Sequence, residues 1–309
     1  MIESEYSENK FLKPLQTPLL RIFDSKRGND LFLKDETKQY TGAFKYRGVY
    51  NKLSRVNLRN YAGVITASTG NHGIAVSFAC SQIKEYSVIV IPYNTPQNKI
   101  QKICNNGAKI ICVETLDTYD KCVDYAVSYA KKNNFLYVPS FDDWDIIDGH
   151  KNLFREISSV QTDFSKIYCQ IGGGGLISAL ITTDYFDKKT VCGVELENED
   201  AMRQSMLRNE IVEIPISKGG SFCEGVTVSK IGRIPFSNIV SKNIMIETVS
   251  AEDVVNAIRF LFEYGIKAEG AGALGVARYL KSDITQSKVL CIISGGNIND
   301  DLFKEMIQG

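Results

Sequence analysis

Residues 166–176 read KIYCQIGGGGL, an apolar run that ends in four glycines and a leucine. The run 166–171 is almost continuously hydrophobic, which is typical of a parallel strand covered on both faces. Glycines placed between a strand and a helix let backbone N–H groups converge on an anion, because no Cβ blocks the approach. The stretch therefore predicts one strand–loop–helix unit of an α/β protein with mostly parallel sheets.

The same alternation continues along most of the chain. Further strands are predicted at 30–34, 63–66, 86–91, 109–113, 191–195, 244–249 and 288–293. Helices are predicted at 70–79, 98–105, 119–132, 145–158, 176–183, 251–264 and 271–280. Ser250 and Asp253 form a predicted capping box at the start of one of these helices. Ligands of such sheets bind at the carboxyl ends of strands, so the loops that follow strands are the places to search.

Composition excludes several classes of protein. The 309 residues include 36 Lys and Arg and 36 Asp and Glu, so no basic excess predicts a nucleic-acid partner. Only two histidines are present, which argues against a His-based metal site. The eight cysteines form no CxxC pair and favour small buried side chains in a reducing compartment.

The chain also lacks the usual targeting signals. The N-terminus is polar and acidic without an apolar segment, and no stretch reaches the roughly 20 apolar residues that span a bilayer. We therefore expect no membrane partner and a cytoplasmic location.

Two segments carry groups suited to catalysis. Residues 41–48 read TGAFKYRG, with Lys45 beside an aromatic residue at a helix start. Such a lysine is usually a solvated charge, but desolvation makes it a Schiff-base candidate. Residues 68–73 read STGNHG and follow a predicted strand. They offer hydroxyls, an amide and backbone N–H groups to a carboxylate, although an ordinary helix cap explains one hydroxyl.

Two glycine-rich loops complete the set. The loop 172–175 lacks the GxGxxG spacing of dinucleotide-binding folds and the lysine of a Walker A loop, which leaves a simple phosphate group as the favoured ligand. Residues 294–297 read SGGN after the last predicted strand. This sequence is a common turn, but Ser294 is also able to hydrogen-bond a ring nitrogen.

In this order the four segments resemble the fold-type II pyridoxal-phosphate (PLP) enzymes, the tryptophan-synthase-β-like superfamily. The resemblance runs from residue 16 to residue 297 and is nearest to the threonine/serine dehydratase and serine racemase branch. The runs FLKDE at 32–36, EGV at 224–226 and EGAGA at 269–273 agree with that branch. The resemblance implies two interlaced doubly wound domains with PLP in the cleft between them. Residues 1–45 and 139–309 would form the large domain, residues 46–138 a small mobile domain, and the protein a homodimer.

The resemblance also assigns roles to individual residues. Lys45 would carry the cofactor and act as the general base, with Phe44 beside the ring. Asn71 would bond the 3′ oxygen, and Ser294 would face the pyridine nitrogen. The remaining cofactor-binding residues would be Gly172, Gly173, Gly174, Gly175, Leu176, Gly225 and Glu269. The substrate carboxylate would be bound by Ser68, Thr69, Gly70, Asn71 and His72.

The favoured activity is that of an ammonia-lyase, a dehydratase that forms a 2-oxo acid and ammonia from a small β-hydroxy amino acid such as threonine or serine. A neutral Ser294 cannot hold the ring nitrogen protonated, which favours prompt elimination over transamination. A racemase, with Thr69 as a second acid/base, and a β-replacement enzyme, threonine-synthase-like or cysteine-synthase-like, stay open. A non-catalytic PLP or amino-acid binding protein is the remaining alternative.

A divalent cation beside the phosphate loop is doubtful. The branch often binds Mg²⁺ or Ca²⁺ through a glutamate that closes a strand and an acid six positions later. Glu195 fits the first position, but Ala201 occupies the second and has no side-chain oxygen. Hard cations need six or more oxygens, so we expect any cation requirement to be weak.

Overall fold

The computed structural model describes residues 11–68, 70–93, 95–186, 189–216 and 222–308. Its strands are β1 (Leu19–Asp24), β2 (Asn29–Asp35), β3 (Val64–Ala67), β4 (Ser87–Val90), β5 (Lys109–Ile111), β6 (Leu136–Tyr137), β7 (Lys166–Gln170), β8 (Val191–Leu196), β9 (Met245–Val249) and β10 (Lys288–Ile293).

Helices separate most of these strands. They are α1 (Lys45–Ser54), α2 (Asn71–Gln82), α3 (Gln97–Asn105), α4 (Tyr119–Asn133), α5 (Trp144–Ser158), α6 (Gly175–Ile181), α7 (Ala201–Arg208), α8 (Arg233–Ser241), α9 (Ala251–Glu263), α10 (Gly270–Leu280) and α11 (Asp300–Gln308). The predicted α/β class is confirmed.

The larger sheet has the strand order β1-β2-β10-β7-β8-β9. Only β1 and β2 pair antiparallel; the other pairs are parallel. Strand β8 is buried at every position and β10 at all but its first, as the sequence pattern indicates for strands covered on both faces. Helices pack on both faces, so the core lies in two layers around this sheet.

The smaller sheet has the order β5-β4-β3-β6 and is entirely parallel. Its two-residue strand β6 was missed by the sequence patterns because it is too short to show a periodicity. Strand β1 was also missed, since it is an edge strand without buried residues and its apolar content is broken by charges. The predicted capping box of α9 is confirmed: Ser250 Oγ accepts the N–H of Asp253, and the Asp253 carboxylate accepts the N–H of Ser250.

A buried ion cluster fixes α1, the helix that starts at Lys45. The fully buried Arg47 donates from Nε to Glu36 at 2.7 Å and from Nη1 to Glu156 at 2.6 Å. Lys34 of β2 donates to the same Glu156 carboxylate at 2.5 Å. Charges buried in this way are stable only when each has a partner, so the cluster ties α1 to the larger sheet and to α5 in one geometry.

Candidate active site

Lys45 projects from the first turn of α1 into a pocket between the two sheets. Its Nζ donates a hydrogen bond to the carbonyl oxygen of Ser140 at 2.9 Å and lies 5.2 Å from the centre of the Phe44 ring. Burial lowers the pKa of Lys45 to about 8, because the charged ammonium loses its water there. A neutral amine, which is the nucleophilic and basic form, is therefore accessible near physiological pH.

Backbone bonds join the loop before Lys45 to the loop after β10. The N–H of Phe44 donates to the carbonyl of Ser294 at 2.9 Å, and the N–H of Gly296 donates to Gly42 at 2.9 Å. Gly295 lies between them, where a Cβ would approach Glu269 Oε1 to 2.6 Å. Two segments that are 250 positions apart in sequence thus form one wall, with Ser294 beside Lys45 in the pocket.

The polar loop, residues 68–73, lines the pocket with Ser68, Gly70, Asn71 and His72, whose polar side chains each make at least one hydrogen bond. Ser68 Oγ accepts the N–H groups of Gly70 at 3.0 Å and of Gly73 at 2.8 Å, at the start of α2. His72 Nε2 lies 3.1 Å from the carbonyl oxygen of Val138, and burial lowers the pKa of His72 to about 3. The imidazole is therefore neutral near pH 7. Thr69 lies outside the described residues.

Asn71 belongs to a polar network that reaches the pocket through Asn71 and Glu269. Its Nδ2 donates to Glu269, and its Oδ1 accepts from Asn297 Nδ2 at 2.8 Å. Lys102 Nζ donates to Asn297 Oδ1 at 2.5 Å. Burial raises the pKa of Glu269, and the neighbouring Lys99 opposes that rise. The network joins the start of α2 to the last turn of α3 and to the N-cap of α10.

The glycine loop, residues 172–175, follows β7 and opens α6. Gly174 has φ +88°, a conformation that favours glycine, and is the N-cap of the helix. A Cβ on Gly173 would lie 2.2 Å from the Phe141 ring, and one on Gly174 would lie 2.5 Å from Pro235. The loop therefore has no room for side chains, and the first N–H groups of α6 have no acceptor within that helix.

Several pocket residues were not identified from the sequence. Ser140 and Phe141 follow the unpredicted strand β6, and Tyr119 reaches the pocket from the start of α4. The buried His150 packs against Phe44, with ring centres 4.6 Å apart. Gly225, Glu269 and Ser294 also line this pocket, while Leu176 is buried in α6.

Glu195 was predicted to close its strand, but β8 extends one residue further, to Leu196, and the Glu195 carboxylate caps a helix. Oε1 accepts the N–H of Met202 at 2.9 Å, and Oε2 accepts the N–H of Arg203 at 2.8 Å. Burial raises its pKa to about 8. Within the described ranges, no three His, Cys, Asp or Glu side chains are grouped so as to hold a metal ion.

Over residues 11–295 the chain matches the family described as pyridoxal-phosphate dependent enzyme. It is 33% identical over 291 residues to the L-threonine ammonia-lyase of Thermotoga maritima, covering 93% of this chain and 72% of that protein. The processed form of threonine deaminase isoform 2 from Solanum lycopersicum has a TM-score of 0.85 and 26% identity, covering 96% of this chain and 83% of that chain. A pyridoxal 5′-phosphate-dependent aspartate racemase has a TM-score of 0.82 and 26% identity, covering 93% and 92% of the two chains.

The chain therefore belongs to the pyridoxal-phosphate dependent enzymes. More particularly, it is an enzyme of the lyase type, and the predicted branch, fold and cofactor are confirmed. The pocket fits the cofactor. The desolvated amine of Lys45 lines the same pocket as the glycine loop, which has no room for side chains and precedes the N-terminus of α6. In the part of the chain that the structure describes, no helix has the length and apolar character needed to cross a membrane.

Proposed function

We propose that this enzyme eliminates water from a small β-hydroxy amino acid, threonine or serine, and that the unsaturated amine so formed is hydrolysed by water to a 2-oxo acid and ammonia. The observation that carries the proposal is the Lys45 amine, which is buried in the pocket with its pKa lowered to about 8. The similarity to the L-threonine ammonia-lyase of Thermotoga maritima supports the same reaction.

The chain's own residues divide the work. When bound, PLP supplies an electron sink for charge that develops at the substrate Cα. Lys45 takes the Cα proton, since its lowered pKa leaves about a tenth of the amine neutral at pH 7 and about half at pH 8. The N-terminus of α2 supplies positive potential for the substrate carboxylate, together with the N–H groups of Asn71 and His72 in its first turn. The N-terminus of α6 does the same for the cofactor phosphate.

The test uses purified, PLP-loaded enzyme with L-threonine, L-serine and a panel of other β-substituted L-amino acids. We expect 2-oxo acid and ammonia in equal amounts from threonine or serine. Release of neither product from either hydroxyamino acid would overturn the proposal.

Racemisation is the second candidate, because a PLP-dependent aspartate racemase has nearly the same fold over 93% of this chain. The sequence places Thr69 where a second acid/base is needed, and its extra methyl restricts the rotamers of that hydroxyl. We therefore expect elimination to be the faster reaction. Chiral chromatography of the recovered amino acid, run beside the 2-oxo acid assay, separates the two; accumulation of the D-enantiomer ahead of 2-oxo acid would reverse the assignment.

We also propose that the enzyme is a cytoplasmic homodimer and that residues 46–138 move as a small domain to exclude water from the reaction. The division is supported by the smaller sheet, whose strands all lie between Val64 and Tyr137. Sedimentation analysis at micromolar concentration tests the dimer, and a monomer would contradict it.

A further inference from the structure

One wall of the pocket carries hydroxyl groups to which the roles above assign nothing. Tyr119, the first residue of α4, and Ser140, which follows β6, line the pocket together with Lys45. Thr118 caps α4 by accepting the N–H of Lys121, which fixes the position of Tyr119 at the start of the helix. The wall is therefore built on a defined helix end rather than on a free loop.

Ser140 lies beside both groups. Its Oγ donates to the carbonyl oxygen of Ala67 at 3.3 Å, and its side chain is close enough to the Tyr119 phenol to influence its pKa. The carbonyl of the same Ser140 accepts the hydrogen bond from Lys45 Nζ at 2.9 Å. The amine and the phenol therefore lie on the same side of the pocket that both line.

The phenol is also held in its protonated form. Burial raises the pKa of Tyr119 to about 12, so the hydroxyl keeps its proton throughout the physiological range. The ring lies against Phe141 with centres 6.4 Å apart, and Phe141 in turn packs on Gly173 of the glycine loop. Burial therefore favours the neutral, basic form of Lys45 and the protonated, acidic form of Tyr119.

We propose that Tyr119 is a catalytic residue, the general acid that protonates the departing β-hydroxyl of the substrate. This inference rests on the function proposed above, since only an oxygen leaving group needs the proton. Lys45 takes the Cα proton, and the electron pair of that C–H bond forms the Cα–Cβ double bond. The Cβ–O bond breaks, its electron pair stays on oxygen, and the Tyr119 proton completes a water molecule.

Both groups are restored without any further reactant. After elimination Lys45 carries one extra proton and Tyr119 lacks one, so loss of the first proton to solvent and uptake of the second from solvent return the site to its starting state. No oxidant or reductant takes part, and the substrate has lost one molecule of water.

The experiment compares leaving groups in the PLP-loaded Tyr119→Phe variant. Hydroxide needs a proton to depart whereas chloride does not, so L-serine and β-chloro-L-alanine separate acid catalysis from a structural role. We expect kcat on L-serine or L-threonine to fall about 100-fold or more, in the range typical of a lost general acid. We expect kcat on β-chloro-L-alanine and the cofactor absorption spectrum to stay unchanged.

Tyr137→Phe is the matched control, because Tyr137 is a partly buried tyrosine of the neighbouring strand β6 that packs in the core. It should leave both substrates unaffected. Equal losses on both substrates in Tyr119→Phe, or no loss on either, would overturn the role of Tyr119. A wild-type enzyme that is active on β-chloro-L-alanine and inactive on both hydroxyamino acids would instead overturn the proposed function, and this inference with it.

Discussion

Two loops face the pocket at helix N-termini, and they reach that position by opposite means. In the polar loop at 68–73, side chains shape the backbone: Ser68 accepts two N–H groups of its own loop, and Asn71 is tied to Glu269. The glycine loop at 172–175 has no side chains, and its backbone packs closely against the side chains of Phe141 and Pro235.

The difference indicates which groups of each loop are available to bind a ligand. Polar side chains in the first loop are largely engaged in holding its shape, so we expect backbone N–H groups to carry much of the carboxylate affinity. The second loop has only backbone to offer, and it depends on distant residues for its shape. Substitutions in the first loop should therefore be tolerated better than those in the second.

The largest effect is expected at Lys45, which lies between the two loops and has no substitute in either. Lys45→Ala should lower kcat by about 10³-fold or more, because both the base and the covalent attachment are lost. Lys52→Ala removes another lysine of α1, one paired with Asp143 and Asp145, and should leave kcat unchanged. After borohydride reduction of the wild type, peptide mapping should find the pyridoxyl group on Lys45; a label on another lysine contradicts the assignment.

The next largest effect tests the glycine loop. In Gly173→Ala the new Cβ would lie 2.2 Å from the Phe141 ring, so the ring or the loop must move. We expect a loss of about 1–3 kcal/mol in the free energy of unfolding, together with weaker cofactor binding. Urea unfolding and absorbance titration measure the two quantities. The double variant with Phe141→Leu should regain part of the stability, and no gain would show that the collision is not the cause.

A smaller effect is expected in the polar loop. Asn71→Ala removes the hydrogen bonds to Glu269 and Asn297 and should cost about 1–2 kcal/mol of unfolding free energy. Cofactor affinity should fall less than in Gly173→Ala. Asn106→Ala is the control, since its amide bonds Ser77 at 3.0 Å away from the pocket. A larger loss of cofactor affinity in Asn71→Ala than in Gly173→Ala would contradict the expectation that the polar loop tolerates substitution better.

The two loops should also differ in their response to acid, because only the polar loop contains a titratable group. Burial lowers the pKa of His72 to about 3. Between pH 6.5 and pH 3 this histidine is therefore protonated in the unfolded chain and neutral in the folded chain. The free energy of unfolding should therefore decrease as pH falls from 6.5 toward 3, by up to about 1.4 kcal/mol per pH unit for this residue. His72→Gln should reduce that slope in urea titrations at several pH values. The buried His150, whose pKa is also lowered by burial, should account for a second part of the slope.

The smallest effect concerns Glu195, whose carboxylate caps the N-terminus of a third helix, α7. Extensive chelation should leave the activity nearly unchanged, because Ala201 supplies no second carboxylate. A large loss that Mg²⁺ or Ca²⁺ restores, and that Glu195→Ala abolishes, would show that a cation site exists in altered form.

The sequence located the strands of both sheets wherever these were long and buried, as in β7, β8 and β10, and it located the loops that follow them. It failed on β1, an edge strand with charges, and on the two-residue β6. Periodicity needs several residues and a consistently buried face, and neither strand offers both.

The sequence by itself determined the cofactor, because four short segments in a fixed order together resemble one family, and it predicted Lys45 as the attachment residue. Only the tertiary structure decided which polar groups are already engaged and which face the pocket. Ser68 proved to accept two N–H groups at the start of α2, His72 to be a neutral imidazole, and Ser140 to lie beside both Lys45 and Tyr119. Burial and hydrogen-bond partners arise from segments that are far apart in the chain, and no local pattern encodes them.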